Sequence, residues 1–185
     1  MKGINKIATV VTKILEVFHW VATAIMAAAV FCAAVAPQWV GYFVSFDAKE
    51  CCGAELDVYG FEVKAAVTNG NVDMLTFLLF GIGAIIILAL MAMVFRNMYR
   101  IFKKTENSTP FQQDNIRLLR QIGFFSIAVP VVGFLMSFVI RLVNGMEATE
   151  ISVSQSGIFM GVVVLCLTQY FIHGADLEKD VDGLL

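Results

Sequence analysis

Two polar stripes interrupt an otherwise apolar chain. Thr12, Glu16, His19 and Thr23 recur every three or four residues near the start, and Cys166, Gln169, His173 and Asp176 do so near the end. That spacing places each set on one face of a helix. Ionisable groups inside apolar segments are costly and mark functional sites by default. Imidazole titrates near neutrality, so Glu16, His19, Gln169 and His173 could together line a ligand or proton-sensing pocket. The same residues would serve equally as a structural hydrogen-bond network. Two histidines at matched depth also fit bis-His ligation of haem, but they are the only two in the chain. No metal and no cofactor is therefore expected. The sequence contains no phosphate-binding glycine loop, HExxH, CxxC or nucleophile elbow, so no enzymatic activity is expected. There is also no pair of broken-helix repeats of the kind that builds secondary transporters.

The elements that position these stripes follow from hydropathy. Hydrophobic residues make up 59% of the 185 residues and charged residues 15%, with a mean hydropathy of +0.80. Soluble domains average about 45–50% and about 25%. Four apolar runs stand out, Ile14–Ala36, Met74–Phe95, Ile122–Ile140 and Gly157–His173. A membrane span needs roughly 20 such residues; the fourth run is short and is expected to begin nearer Val153. The fold class expected is an all-α membrane protein, a single domain built as a four-transmembrane-helix bundle. A cleaved signal peptide is not expected at the N-terminus: the apolar run is long for one, and Pro37 would follow the cut directly.

Lysine and arginine set orientation. They lie at Lys2, Lys6 and Lys13, and again at Arg96, Arg100, Lys103, Lys104, Arg117 and Arg120. The first loop, 37–73, is mostly acidic, and the third loop carries only Arg141. Both termini and the basic elbow 96–121 are thus expected in the cytoplasm, with loops one and three outside the inner (plasma) membrane. The net charge of −2 gives no reason to expect direct nucleic-acid binding.

Loop one carries two partly alternating stretches, Val40–Phe46 and Leu56–Val63, flanking the turn-like segment Asp47–Ala54. They read as an extracellular β-hairpin. Glu150–Ser154 in loop three could add a third strand, and Asn69-Gly70-Asn71 a turn before the second span. Adjacent Cys51 and Cys52 read as loop thiols or an intermolecular bridge, with a redox or metal sensor as the other use. Cys32 and Cys166 read as packing residues. Gly81 and Gly83 are expected contact points, and Gly157 and Gly161 stand at the spacing that lets membrane helices pack or dimerise, so an oligomer is compatible. Pro130 should kink the third span.

Within the elbow, Thr109 and Pro110 read as N-cap and first residue of a helix. Phe111, Ile116 or Asn115, Leu118, Leu119 and Ile122 continue at helical spacing. This is either an interfacial elbow or a docking face for a cytosolic partner. The acidic tail 174–185 carries Asp176, Glu178, Asp180 and Asp182.

Thr109-Pro110-Phe111 with Asn115, Leu118-Leu119 and Ile122-Gly123, then Phe171-Ile172-His173-Gly174-Ala175-Asp176-Leu177-Glu178 and Asp180-Val181-Asp182, resemble an uncharacterised bacterial four-helix integral-membrane family, one of those labelled a domain of unknown function. Its members show a Ser/Thr-Pro-Phe elbow before the third helix and a Phe-x-x-Gly-x-x-Leu motif after the fourth. This chain differs in its Asp-Gly-Leu-Leu end and its large, Cys-containing first loop. Such proteins are often encoded beside a small Cro/repressor-type helix-turn-helix regulator. The resemblance implies a membrane sensor or anchor that modulates a cytosolic DNA-binding partner through Pro110, Phe111, Asn115, Arg117, Gly174, Asp176 and Asp180. The other class is a ligand-handling membrane protein, such as a transport accessory, immunity factor or oligomeric channel, working through Glu16, His19, Gln169 and His173.

Overall fold

The structure, a computed structural model, describes residues 2–36, 54–65, 67–68, 71–105, 112–144 and 155–182. In chain order these form α1 (Lys2–Val35), β1 (Ala54–Val58), β2 (Phe61–Ala65), β3 (Val67–Thr68), β4 (Asn71–Val72), α2 (Met74–Thr105), α3 (Gln113–Asn144) and α4 (Gln155–Asp182). All four helices are long and apolar enough to cross a membrane. Each runs past the apolar stretch that announces it, because the flanking polar residues are good helix formers too. The elbow is therefore helical at both ends, and Gly174–Asp182 is a continuation of α4 rather than a separate tail.

Helix ends are fixed locally. The Asp73 carboxylate accepts hydrogen bonds from the Thr76 backbone N–H (3.3 Å) and from the Thr76 hydroxyl, capping α2. Lys103 and Lys104 occupy its last turn, where positive charge meets the helix dipole favourably. The Gln112 carbonyl accepts from the N–H groups of Asn115 (2.9 Å) and Ile116 (3.2 Å). Gln112 itself is not helical, and α3 begins at Gln113. Thr109, Pro110 and Phe111 lie outside the described residues.

The reading of Leu56–Val63 as one strand is corrected. The segment turns back on itself at Tyr59-Gly60, pairing β1 with β2 antiparallel in the register Leu56↔Val63 and Val58↔Phe61. Both turn residues have positive φ, 54° and 80°, as a two-residue hairpin turn with the strands' twist requires. The Asp57 side chain accepts from the Gly60 N–H at 3.0 Å. A second short antiparallel pair joins β3 and β4 through Thr68↔Asn71. Val40–Phe46, Cys51, Cys52 and Glu150–Ser154 fall outside the described residues.

Contacts divide the chain into two compact units. One comprises Trp20–Ala89 and Val129–Ser154. Here the hairpin sends Phe61 and Val63 into full burial. The Phe61 ring stacks on Phe80, with centroids 5.2 Å apart. It fills a slot that two glycines leave open: a Cβ at Gly83 would lie 2.8 Å from the Phe61 ring, and one at Gly133 would lie 3.5 Å from Phe61 Cβ. Gly81 likewise receives Val30 of α1, so both expected contact glycines of α2 are used. Pro130 is buried within α3.

The other unit comprises Met1–His19, Leu90–Ala128 and Gln155–Leu185. Its α3 and α4 cross backbone to backbone. A Cβ at Gly161 would stand 2.4 Å from an Ile127 methylene, 2.9 Å from the Gly123 carbonyl oxygen and 3.1 Å from the Ile127 nitrogen. A Cβ at Gly123 would meet Leu165 at 2.7 Å. Backbone cannot step aside as a side chain can, so Gly161 requires glycine, whereas at Gly123 the collision is with the Leu165 side chain.

Two outcomes test this packing. Gly161→Ala is expected to lower stability by about 1–3 kcal/mol through overpacking, measured by thermal unfolding in detergent. Gly3→Ala, with open space around the added methyl, is expected to leave the transition unchanged or raise it. Phe61→Ala should cost about 3–5 kcal/mol, whereas Ala at neighbouring exposed Glu62 should change little.

Candidate functional site

The N-terminal stripe is buried. Thr12, Glu16 and His19 are at most 7% exposed. Their partners are on α1 and α2. The Thr12 hydroxyl donates to the Ala8 carbonyl at 2.7 Å. Glu16 accepts from the Lys13 ammonium at 2.9 Å, and Lys13 also lies over the Tyr99 ring at 5.1 Å. Lys103 approaches the same ring at 5.7 Å. His19 Nδ1 lies 2.7 Å from the Leu15 carbonyl oxygen. A carbonyl can only accept, so Nδ1 carries the proton and donates. The imidazole packs against Phe95 at 4.9 Å and edge-on to Phe18 at 5.6 Å.

The C-terminal stripe is not buried. Cys166, Gln169, His173 and Asp176 are all exposed, and the buried polar residue of this stretch is Thr168, whose hydroxyl donates back to the Val164 carbonyl. A shared pocket of Glu16, His19, Gln169 and His173 is therefore not formed. Spacing alone could not reveal this, because periodicity shows that residues share a face and not which way the face turns. Cys32 and Cys166 are likewise exposed rather than packed inside. Among the described residues no three His, Cys, Asp or Glu side chains gather into a metal site.

Polar groups also stitch the ends of the helices. Asn5 donates to the Phe102 carbonyl at 3.1 Å, linking α1 to α2. Asn97, 2% exposed, donates to the Gln121 side-chain oxygen at 3.2 Å, linking α2 to α3. Neither asparagine stands out in the sequence, since a lone amide on an apolar helix carries no motif. Lys104 and Asp114 form a surface ion pair at 2.8 Å across the α2–α3 connection.

What the structure does bring together is the start of α3 and the end of α4. Leu165 sits against Gly123 at the glycine crossing. Ile172 lies seven residues on from Leu165, and Ile116 seven residues back from Gly123, each about 10 Å along its helix at 1.5 Å per residue. Antiparallel helices bring two such positions level. They meet in a groove of about 550 Å³, floored by Ile116, Ile172 and Ala175 and walled by Asp114, Arg117, Arg120 and Asp176. Arg117 and Asp176, expected as partner-binding residues from separate motifs, thus share one site. Asp180 is exposed nearby on the same helix end and Gly174 is half-buried. Asn115 is corrected: at 3% exposure it faces inward and cannot offer its side chain to a partner.

No protein-family model, curated protein or solved structure matches the chain.

The buried amide bridge has a measurable weight. A double-mutant cycle between Asn97→Leu and Gln121→Leu, read from unfolding in detergent, should return a coupling of about 0.6–2 kcal/mol, the range for hydrogen bonds between membrane helices.

Proposed function

We propose that this protein is a multi-pass anchor of the bacterial inner membrane whose cytoplasmic end, the first turns of α3 and the last turns of α4, holds a cytosolic DNA-binding regulator. Membrane insertion is supported by where the apolar side chains point. Phe18, Ile25, Phe31, Phe124, Leu142 and Phe159 are each more than half exposed, an arrangement that water would oppose and lipid favours. The distribution of Lys and Arg directs both termini and the elbow inward.

The observation that carries the docking reading is the meeting of the two motifs at one end of the α3–α4 pair. Residues of the elbow and of the C-terminal segment, more than fifty positions apart in sequence, share one end of the α3–α4 pair. Beside the groove, Asp176, Leu177 and Asp180 are exposed on α4, Leu177 at 54%. An apolar side chain between two carboxylates suits a small basic protein surface, which a DNA-binding regulator has by the nature of its target. The ligand-handling alternative relied on a pocket whose two halves face different surroundings, and the buried half is engaged in packing.

Crosslinked pull-down from native membranes tests the reading. A small DNA-binding protein should come down with wild type. Its recovery should fall at least about tenfold, the equivalent of about 1.4 kcal/mol, with Leu177→Ser and Asp180→Asn combined, or with Pro110→Ala and Phe111→Ala combined. Equal recovery from wild type and both variants, or no cytosolic protein in either, would remove the docking role.

A further inference from the structure

The groove holds two arginines that no carboxylate pairs with directly among the described residues. Arg117 and Arg120 lie one turn apart on α3, are exposed, and form no ion pair among the described residues. Asp114, the nearest carboxylate on their own helix, also lines the groove but is ion-paired to Lys104, which with a weaker pull from Arg117 holds its carboxyl below the usual range. Across the groove stands Asp176, exposed and also without an ion pair among the described residues. Between these charges the floor is apolar: Ile116 and Ala175 are buried and Ile172 half-buried.

We propose that this groove binds the phosphoethanolamine headgroup of a membrane phospholipid, its phosphate between Arg117 and Arg120 and its ammonium on Asp176. Guanidinium groups present paired donors that match phosphate oxygens. Two positive charges around a phosphodiester and a carboxylate beside an ammonium answer a zwitterion in sign, whereas a purely anionic headgroup would leave Asp176 opposed. A lipid source follows from the depth. The apolar run of α3 begins at Ile122, just after Arg120, and that of α4 ends at His173, just after Ile172. The floor is therefore continuous with the surface the acyl chains would cover, and basic pockets between membrane helices on the cytoplasmic side suit lipid headgroups. The inference rests on the membrane reading and not on the regulator. A headgroup in the groove leaves Leu177 and Asp180 outside it.

Native mass spectrometry of the full chain, reconstituted in phosphatidylcholine discs containing either phosphatidylethanolamine or phosphatidylglycerol, tests the assignment. Incorporation of the wild type into discs, read from particle size, checks the membrane reading separately. Wild type should retain phosphatidylethanolamine at least about fivefold over phosphatidylglycerol, about 1 kcal/mol of selectivity. Arg117→Gln with Arg120→Gln should lose retention of both lipids. Asp176→Asn should lose the preference while keeping phosphate binding. All three positions are exposed, so the variants should melt as wild type does. Equal retention of the two lipids by wild type, or retention unchanged in the double arginine variant, would overturn the site. Release of bound lipid by glycerophosphoethanolamine or inorganic phosphate at micromolar concentration would overturn the lipid source in favour of a soluble phosphate compound.

Discussion

The crossing of α3 and α4 at Gly123 and Gly161 is the constraint on which the proposed site depends. At this point the backbones come so close that a single methyl group would collide with a carbonyl oxygen and an amide nitrogen. In lipid, helices gain little from hiding apolar surface, so close van der Waals packing over small residues is the main force that pairs them. The crossing also fixes register. With Leu165 seated on Gly123, the next two turns in each direction have no freedom in which side chains they set opposite one another. Ile116 meets the level of Ile172, and the charges of Arg117, Arg120 and Asp176 are left around a shared apolar floor. A groove with this chemistry is a consequence of backbone proximity about 10 Å away.

The polar residues divide by the same logic. Four of those turned inward find partners: Asn5 in the Phe102 carbonyl, Asn97 in Gln121, His19 in the Leu15 carbonyl, Glu16 in Lys13. A buried polar group left alone is expensive, and these contacts offset that expense, the two asparagine bonds also tying helix to helix. The residues that remain outward at the α3–α4 end are the ones with bonding capacity to spare. The hairpin makes the same point in apolar terms. Phe61 enters a slot opened by Gly83 and Gly133 and becomes part of the helix packing around it.

Much of the fold was legible because its signals are long. Four apolar runs of about span length announce four helices, and Gly81, Gly83 and Gly161 mark contacts through the absence of side chains. Short signals fared differently. The two-residue turn at Tyr59-Gly60 lies inside an alternating stretch, and the bulky Tyr59 at positive φ disguises it, since that conformation is uncommon outside glycine. The start of α3 follows the Gln112 carbonyl, which no motif in the sequence marks. The paired polar stripes were visible as stripes, but their direction depends on helix rotation, which tertiary packing decides. Asn115 was misread for the same reason. Arg117 and Asp176 came from separate motifs, and only the antiparallel register shows that they face one groove.

The groove depends on that register. The most direct test replaces the four native cysteines, introduces Cys at Arg117 and at Asp176, and treats intact membranes with a short bifunctional maleimide. Rapid intramolecular crosslinking of the pair, abolished when Gly161→Val is added, is the expected result. No crosslink in the glycine background, or one that survives Gly161→Val unchanged, would contradict a groove built by the glycine crossing.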